Sequence, residues 1–199
     1  MSIKLGIAPI AWSNDDMPEL GGETTLEQCL SEASKAGFTG IEFGGKFPKN
    51  SKELIPKLRK ENLQLCSGWY GAKLLKNTPK EEFKLMREQM DLFKDCKSPC
   101  MVFAEVTNSV QGDPKIPLSK KPKLSEEEWK LLISRINEVS KMMIDENMPL
   151  AYHHHMGTVI ETEDETRRLI ESTCDQYQLI ILRYHSYFLL ISLFLPLFQ

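Results

Sequence analysis

The sequence predicts a parallel α/β protein of the (β/α) barrel type, incomplete, with about five to six strand–helix units. Three observations lead there. Short apolar runs alternate with longer amphipathic ones five times over, joined by short connections. Three of the helical runs open on a capping box, a Thr or Ser followed three residues later by Glu. Finally, Trp12, Glu42, Trp69, Glu105 and His153–His155 all fall at the C-terminal ends of predicted strands. In a barrel those ends converge on the rim where active sites are built. The other parallel architecture, a doubly wound sheet, is disfavoured because no G-x-G-x-x-G follows the first strand.

Taken in order, Ile3–Ile10 reads as the first strand, ending near Trp12. Thr25–Ala36 carries Leu26, Cys29, Leu30, Ala33 and Ala36 at helical spacing, with Gly37 placed to stop it. Thr39–Phe43 is the second strand, and Ser51–Lys60 a helix despite its internal Pro56. Leu63–Trp69 is the third strand. Thr78, Pro79, Lys80 and Glu81 open a helix to about Lys94. Cys100–Glu105 is the fourth strand, followed by a polar loop from Asn108 to Lys123. Ser125 and Glu128 cap a helix to about Glu146, and Pro149–His154 is the fifth strand. Thr162 and Glu165 cap the last helix, which fades near Thr173, and Leu179–Leu182 begins a sixth strand.

Composition narrows the function. At 41% hydrophobic and 27% charged, the 199 residues suit one globular core rather than a disordered chain. Twenty-five basic against twenty-eight acidic residues give a net charge of -3, so no basic field invites nucleic acid. The five cysteines are scattered without a CxxC pair, as expected of thiols in a reducing compartment, and Met1–Leu5 lacks the features of a secretory signal. A cytoplasmic address is expected.

The histidine run is the main chemical signal. In extended chain His153 and His155 share a face and His154 takes the other. Neutral imidazole is a common ligand of divalent transition metals. Against this stands a hydrogen-bonded polar strand end. Glu105 closes the apolar run Met101–Ala104, where an ionised carboxylate is costly unless paired or metal-bound. It could be a ligand, a general base or the partner of a lysine. The segment Trp12–Glu19 offers a ring face, a hydroxyl, an amide and carboxylates to a polyhydroxylated substrate, and the same residues also make an Asx-rich turn unaided.

Three stretches are similar to one family. Gly6–Glu23, Ala36–Gly40 and Tyr152–Thr158 resemble the myo-inosose-2 dehydratases, members of the xylose isomerase-like group of TIM barrels. The resemblance covers roughly residues 3–173. It implies a hydro-lyase of inositol catabolism that removes water from 2-keto-myo-inositol (scyllo-inosose), assisted by Mn²⁺ or Co²⁺. Such an ion polarises the ketone, acidifies the α-proton and stabilises an enediolate. Related barrels carry Glu-Asn-His at the end of the fifth strand. Aligning Met156-Gly157-Thr158 with the Gly-Thr after that run places His153 where the metal-binding glutamate stands. On this resemblance Glu105 and His155 are expected in catalysis, and Trp12, Asn14, Asp15, Trp69 and His154 against a cyclic polyol. The alternatives are a keto-sugar or sugar-phosphate isomerase or epimerase of the same group, and a non-catalytic metal- or polyol-binding fragment.

The family pattern then breaks. A strand ending in Asp-Thr-Gly-His is expected after the fifth helix, and Leu182–Tyr187 stands there instead. The division expected is a barrel portion over residues 1–178 and an aberrant apolar tail over 179–199. The tail is long enough for a membrane span, but Arg183, His185 and Pro196 argue against one. A shifted reading frame or a read-through splice site accounts for it better. A whole barrel takes about 250 residues, so little or no turnover is expected.

Overall fold

A computed structural model describes residues 4–173, 180–182 and 192–194. Its contacts divide the chain into two units: Met1–Trp69, Asp91–Pro99 and Tyr184–Gln199 in one, Tyr70–Met90 and Cys100–Arg183 in the other.

In the first unit β1 (Lys4–Ile7) is shorter than the expected Ile3–Ile10. Pro9 has no N–H to give a ladder, and Pro9–Ala11 turns as a 3-10 helix instead. Trp12 therefore lies beyond that turn, not at a strand end. Helix α1 (Leu26–Lys35) is capped by the Thr25 hydroxyl and buries Leu26, Cys29, Leu30 and Ala33, the spacing read from the sequence. Strand β2 (Gly40–Phe43) runs parallel to β1, with Gly6 opposite Gly40 and Ile7 opposite Ile41. Helix α2 (Ser51–Lys60) is continuous through Pro56, capped by Asn50, and buries Leu54 and Leu58.

Strand β3 (Gln64–Ala72) outruns its expected end at Trp69 by three residues, so Trp69 sits within the strand. It pairs parallel to β2, but the register shifts between Ile41 and Glu42, which sets Glu42 opposite Ser67. Such irregularities re-aim a side chain. A further strand, β7 (Ser192–Phe194), pairs antiparallel to β1, which the sequence reading does not anticipate.

The second unit begins at the last residues of β3. Helix α3 (Pro79–Asp95) opens on Thr78, whose N–H donates to Glu81 at 2.8 Å while Glu81 N–H returns to the Thr78 hydroxyl. Strand β4 (Met101–Glu105) is buried at every residue. Its extension donates from Val106 N–H to Ala72 O at 2.8 Å, tying the ends of β3 and β4 together. Helix α4 (Glu126–Asp145) and helix α5 (Glu163–Ser172) both have complete capping boxes, at Ser125 and Thr162. Strand β5 (Leu150–His153) pairs parallel to β4, with Phe103 opposite Tyr152, and β6 (Ile180–Leu182) pairs parallel to β5.

The core of this unit is made by Met101–Ala104, Leu150–Tyr152, Met86, Met90 and the α4 face of Trp129, Leu132, Ile136, Val139 and Met143. Phe103 and Tyr152 meet edge to face at 5.0 Å. β5 closes at His153, one residue before the expected boundary, so His154 and His155 belong to the following loop. Of the apolar tail, Ile180–Leu182 and Ser192–Phe194 are described, and the remainder of that expectation lies outside the described residues. Among the described residues no helix is long and apolar enough to cross a membrane.

Candidate functional site

Glu105 ends a fully buried strand, so its carboxyl is fully buried too. One oxygen, Oε1, accepts from the Thr107 N–H at 2.7 Å, while Oε2 is buried without a hydrogen-bond partner. Burial raises its pKa above the ordinary carboxylate value, against the opposing pull of Thr107 and the backbone of Leu74 and Leu75. The loop supplying those amides is held from two sides. Arg135 donates to Leu74 O at 2.7 Å and Asn77 O at 3.2 Å. Buried Glu82 accepts from Tyr70 Oη at 2.9 Å and Asn77 Nδ2 at 2.7 Å.

The three histidines stand at the neighbouring strand end. The His153 and His155 rings are 5.3 Å apart between centroids, closer than the 6.1 Å between His153 and His154. Burial, with His155 and His154 beside it, pushes the His153 imidazole down to about 3, so it is neutral at physiological pH. Neutral imidazole is the ligating form.

The loop after them is strongly ordered by its own backbone. Thr158 Oγ1 donates to His155 O at 2.8 Å, and His155 N–H donates to Ile160 O at 3.0 Å. Gly157 adopts φ +74°, its N–H donates to Glu161 Oε2 at 2.8 Å, and its carbonyl accepts from Val110 N–H at 3.0 Å. Lys121 then clamps this loop to α5. Its ammonium reaches the two Glu165 oxygens at 2.6 and 2.7 Å and Thr158 O at 3.4 Å. Burial alone would raise Glu165, but bonds from Lys121 and the Thr162 and Glu161 amides hold it below the ordinary carboxylate value.

In the first unit, Glu42 takes a short hydrogen bond from buried Ser67, and burial raises its pKa. Trp12 donates from its indole to Glu32 Oε2 at 2.6 Å. The Asn14 side chain accepts from Asp16 N–H at 2.9 Å and Met17 N–H at 3.0 Å, an Asx turn. Asp15 Oδ2 accepts from Gly45 N–H at 2.8 Å. Trp69 is 36% exposed.

Thus Glu105, His153, His154 and His155 fall together in the second unit, and Trp12, Asn14, Asp15 and Trp69 in the first. The sequence reading missed Tyr152, Thr107, Lys121 and Ser67. Tyr152 carries a signal in hindsight: a tyrosine in an otherwise apolar buried strand needs a polar neighbour.

A divalent cation is what the histidine run suggests. The His153 imidazole is in the right protonation state, but among the described residues no three His, Cys, Asp or Glu side chains are placed to hold one ion. The described residues therefore do not fit a closed metal site by themselves.

Comparison with known proteins supplies the family. Residues 30–188 match the model of the xylose isomerase-like TIM barrel. The chain is 44% identical over 172 residues to an inosose dehydratase of Geobacillus thermodenitrificans, covering 86% of this chain and 58% of that one. It is 39% identical over 188 residues to the rhizopine catabolism protein MocC of Rhizobium meliloti, covering 94% and 58%. The chain thus spans a little over half the length of these relatives. Among solved structures, the probable 3-DHS dehydratase AsbF of Bacillus anthracis superposes with a TM-score of 0.62 at 15% identity, covering 89% of this chain and 61% of that one. A xylose isomerase-like TIM-barrel protein of Mycobacterium smegmatis in complex with magnesium gives 0.58 at 13%, covering 85% and 61%. At these identities the structures speak for the fold alone.

Proposed function

Because the chain belongs to the xylose isomerase-like TIM-barrel family, we propose that it carries part of the site of a hydro-lyase that dehydrates 2-keto-myo-inositol in inositol catabolism. The observation that carries this reading is the 44% identity to an inosose dehydratase over 86% of the chain. The geometry is compatible with the reaction. Loss of water from a β-hydroxyketone needs a base for the α-proton and an acid for the departing hydroxyl. A buried carboxyl with a raised proton affinity, Glu105, suits the first task, with Oε2 as the receiving atom. The half-buried His155 suits the second, held by its Nδ1 contact with Met156 O at 3.0 Å. His154 would contact the polyol hydroxyls, and the Trp12 to Asp15 loop of the first unit, taken by itself, offers groups of the kind a polyol takes.

A divalent cation, Mn²⁺ or Co²⁺, would supply Lewis acidity to the ketone, with His153 as a donor and the other ligands from outside the described residues. On this reading the activity belongs in the cytoplasm and acts on a small cyclic polyol.

Incubating the chain with scyllo-inosose and Mn²⁺, and following formation of the unsaturated dione, tests the proposal. Product formed by the wild type and lost in Glu105→Gln supports it. Epimerisation of keto-sugars with no dehydration of inosose would replace it with the isomerase reading.

A further inference from the structure

Lys46, in the loop after β2, sends its ammonium into the loop between β1 and α1. It donates to Gly21 O at 2.8 Å, to Gly22 O at 3.1 Å and to Thr24 O. A lysine ammonium has three donors and no acceptor, so its whole capacity ends on three carbonyls of one loop. Those carbonyl dipoles point at a single spot and repel one another unless a positive charge sits between them. The same loop is closed by Asn14 N–H on Leu20 O at 3.1 Å and tied to the β2 loop by Asp15 on Gly45. Gly21 holds φ +74°, where an added Cβ would lie 1.9 Å from Trp12 O. The carbonyl that accepts from Lys46 and the backbone of Trp12 are thus packed against each other.

We propose that Lys46 is a positioning residue: its ammonium is the tethered cation of a three-carbonyl cage that fixes the loop carrying Trp12, Asn14 and Asp15, and a free ammonium or potassium ion can take its place. Carbonyl cages bind such ions by replacing their hydration shell. Lys46 is itself exposed, so the cage is open to an ion from solution once the side chain is shortened. That this loop meets the substrate rests on the dehydratase reading above, whereas the cage does not.

Two readouts separate the claims. Glu19 and Glu23 are the sites within this loop for a glutamate-specific protease. Lys46→Ala, and Lys46→Met as the variant that keeps most of the stem, are expected to raise cleavage there by about ten-fold through local opening. Ammonium or potassium chloride should restore resistance, and choline chloride at equal ionic strength should not. Cleavage unchanged in both variants, or restored equally by choline, overturns the cage.

The second readout is scyllo-inosose binding. Weaker affinity in Lys46→Met, recovered with ammonium, supports the positioning role, and wild-type affinity in that variant overturns it. If the wild type itself does not bind inosose, the dehydratase reading fails while the proteolysis still decides the cage.

Discussion

The backbone N–H of Glu105 donates to the phenol oxygen of Tyr152 at 3.3 Å, so the last residue of β4 is fixed by a side chain of β5. Both residues are fully buried. The carboxyl is therefore presented by backbone that cannot shift without breaking a contact between neighbouring strands. Tyr152→Phe keeps the ring against Phe103 and strands the N–H. It should cost about 1 kcal/mol, at the weak end for a buried hydrogen bond of this length, read from urea unfolding.

Glu105→Gln should stabilise the fold at neutral pH, because it keeps the shape and removes a buried charge. For a carboxyl whose folded pKa is raised, stability falls as pH climbs from the unfolded value toward the folded one. The melting-temperature difference between Gln and wild type should therefore be near zero at acid pH and grow through that window. A constant difference would show that ionisation of Glu105 is not the cause.

Glu165 has the opposite sign. Its folded pKa is depressed, so its contribution is present above the unfolded carboxylate value and is lost as pH falls through the folded one. Lys121→Met removes the principal partner. The variant should be destabilised at neutral pH by about 1–3 kcal/mol, the range for leaving a charged group without its bond, and should lose less on acidification than wild type.

Gly157→Ala should be costly in two ways. A left-handed φ is disfavoured for alanine by about 1–2 kcal/mol, and the new Cβ would lie 2.9 Å from Gln111 N. Thermal unfolding measures the loss. The His153–His155 ring contacts should change with it, visible as shifted imidazole resonances.

His153→Ala tests the metal reading directly. Metal content after equilibration with Mn²⁺ should fall to background, and unchanged content would remove His153 from the ligand set.

Local signals were legible wherever they were self-contained. The caps at Thr78, Ser125 and Thr162 and the apolar face of α1 are short-range physics, and they stand where the sequence places them. Boundaries set by other strands were not. β3 runs on to Ala72 because β4 continues alongside it, which no residue near Trp69 encodes. Pro9 did carry its own signal, and the apolar run around it masked that signal.

The sequence by itself determined the kind of chain this is. Periodicity and caps specify parallel strand–helix units, and the Tyr152–Thr158 run marks one strand end as chemically unusual. Tertiary structure decided how those residues are used. It set Glu42 opposite Ser67 through a register shift, buried Glu105 under a loop braced by Arg135 and Glu82, and made Lys46 the centre of three carbonyls. Lys46 and Thr24 are 22 residues apart in sequence, Glu42 and Ser67 are 25 apart, and Arg135 and Leu74 are 61 apart. A hydrogen bond or a desolvated charge is a property of the space around a residue, and chain order does not state which groups will share it.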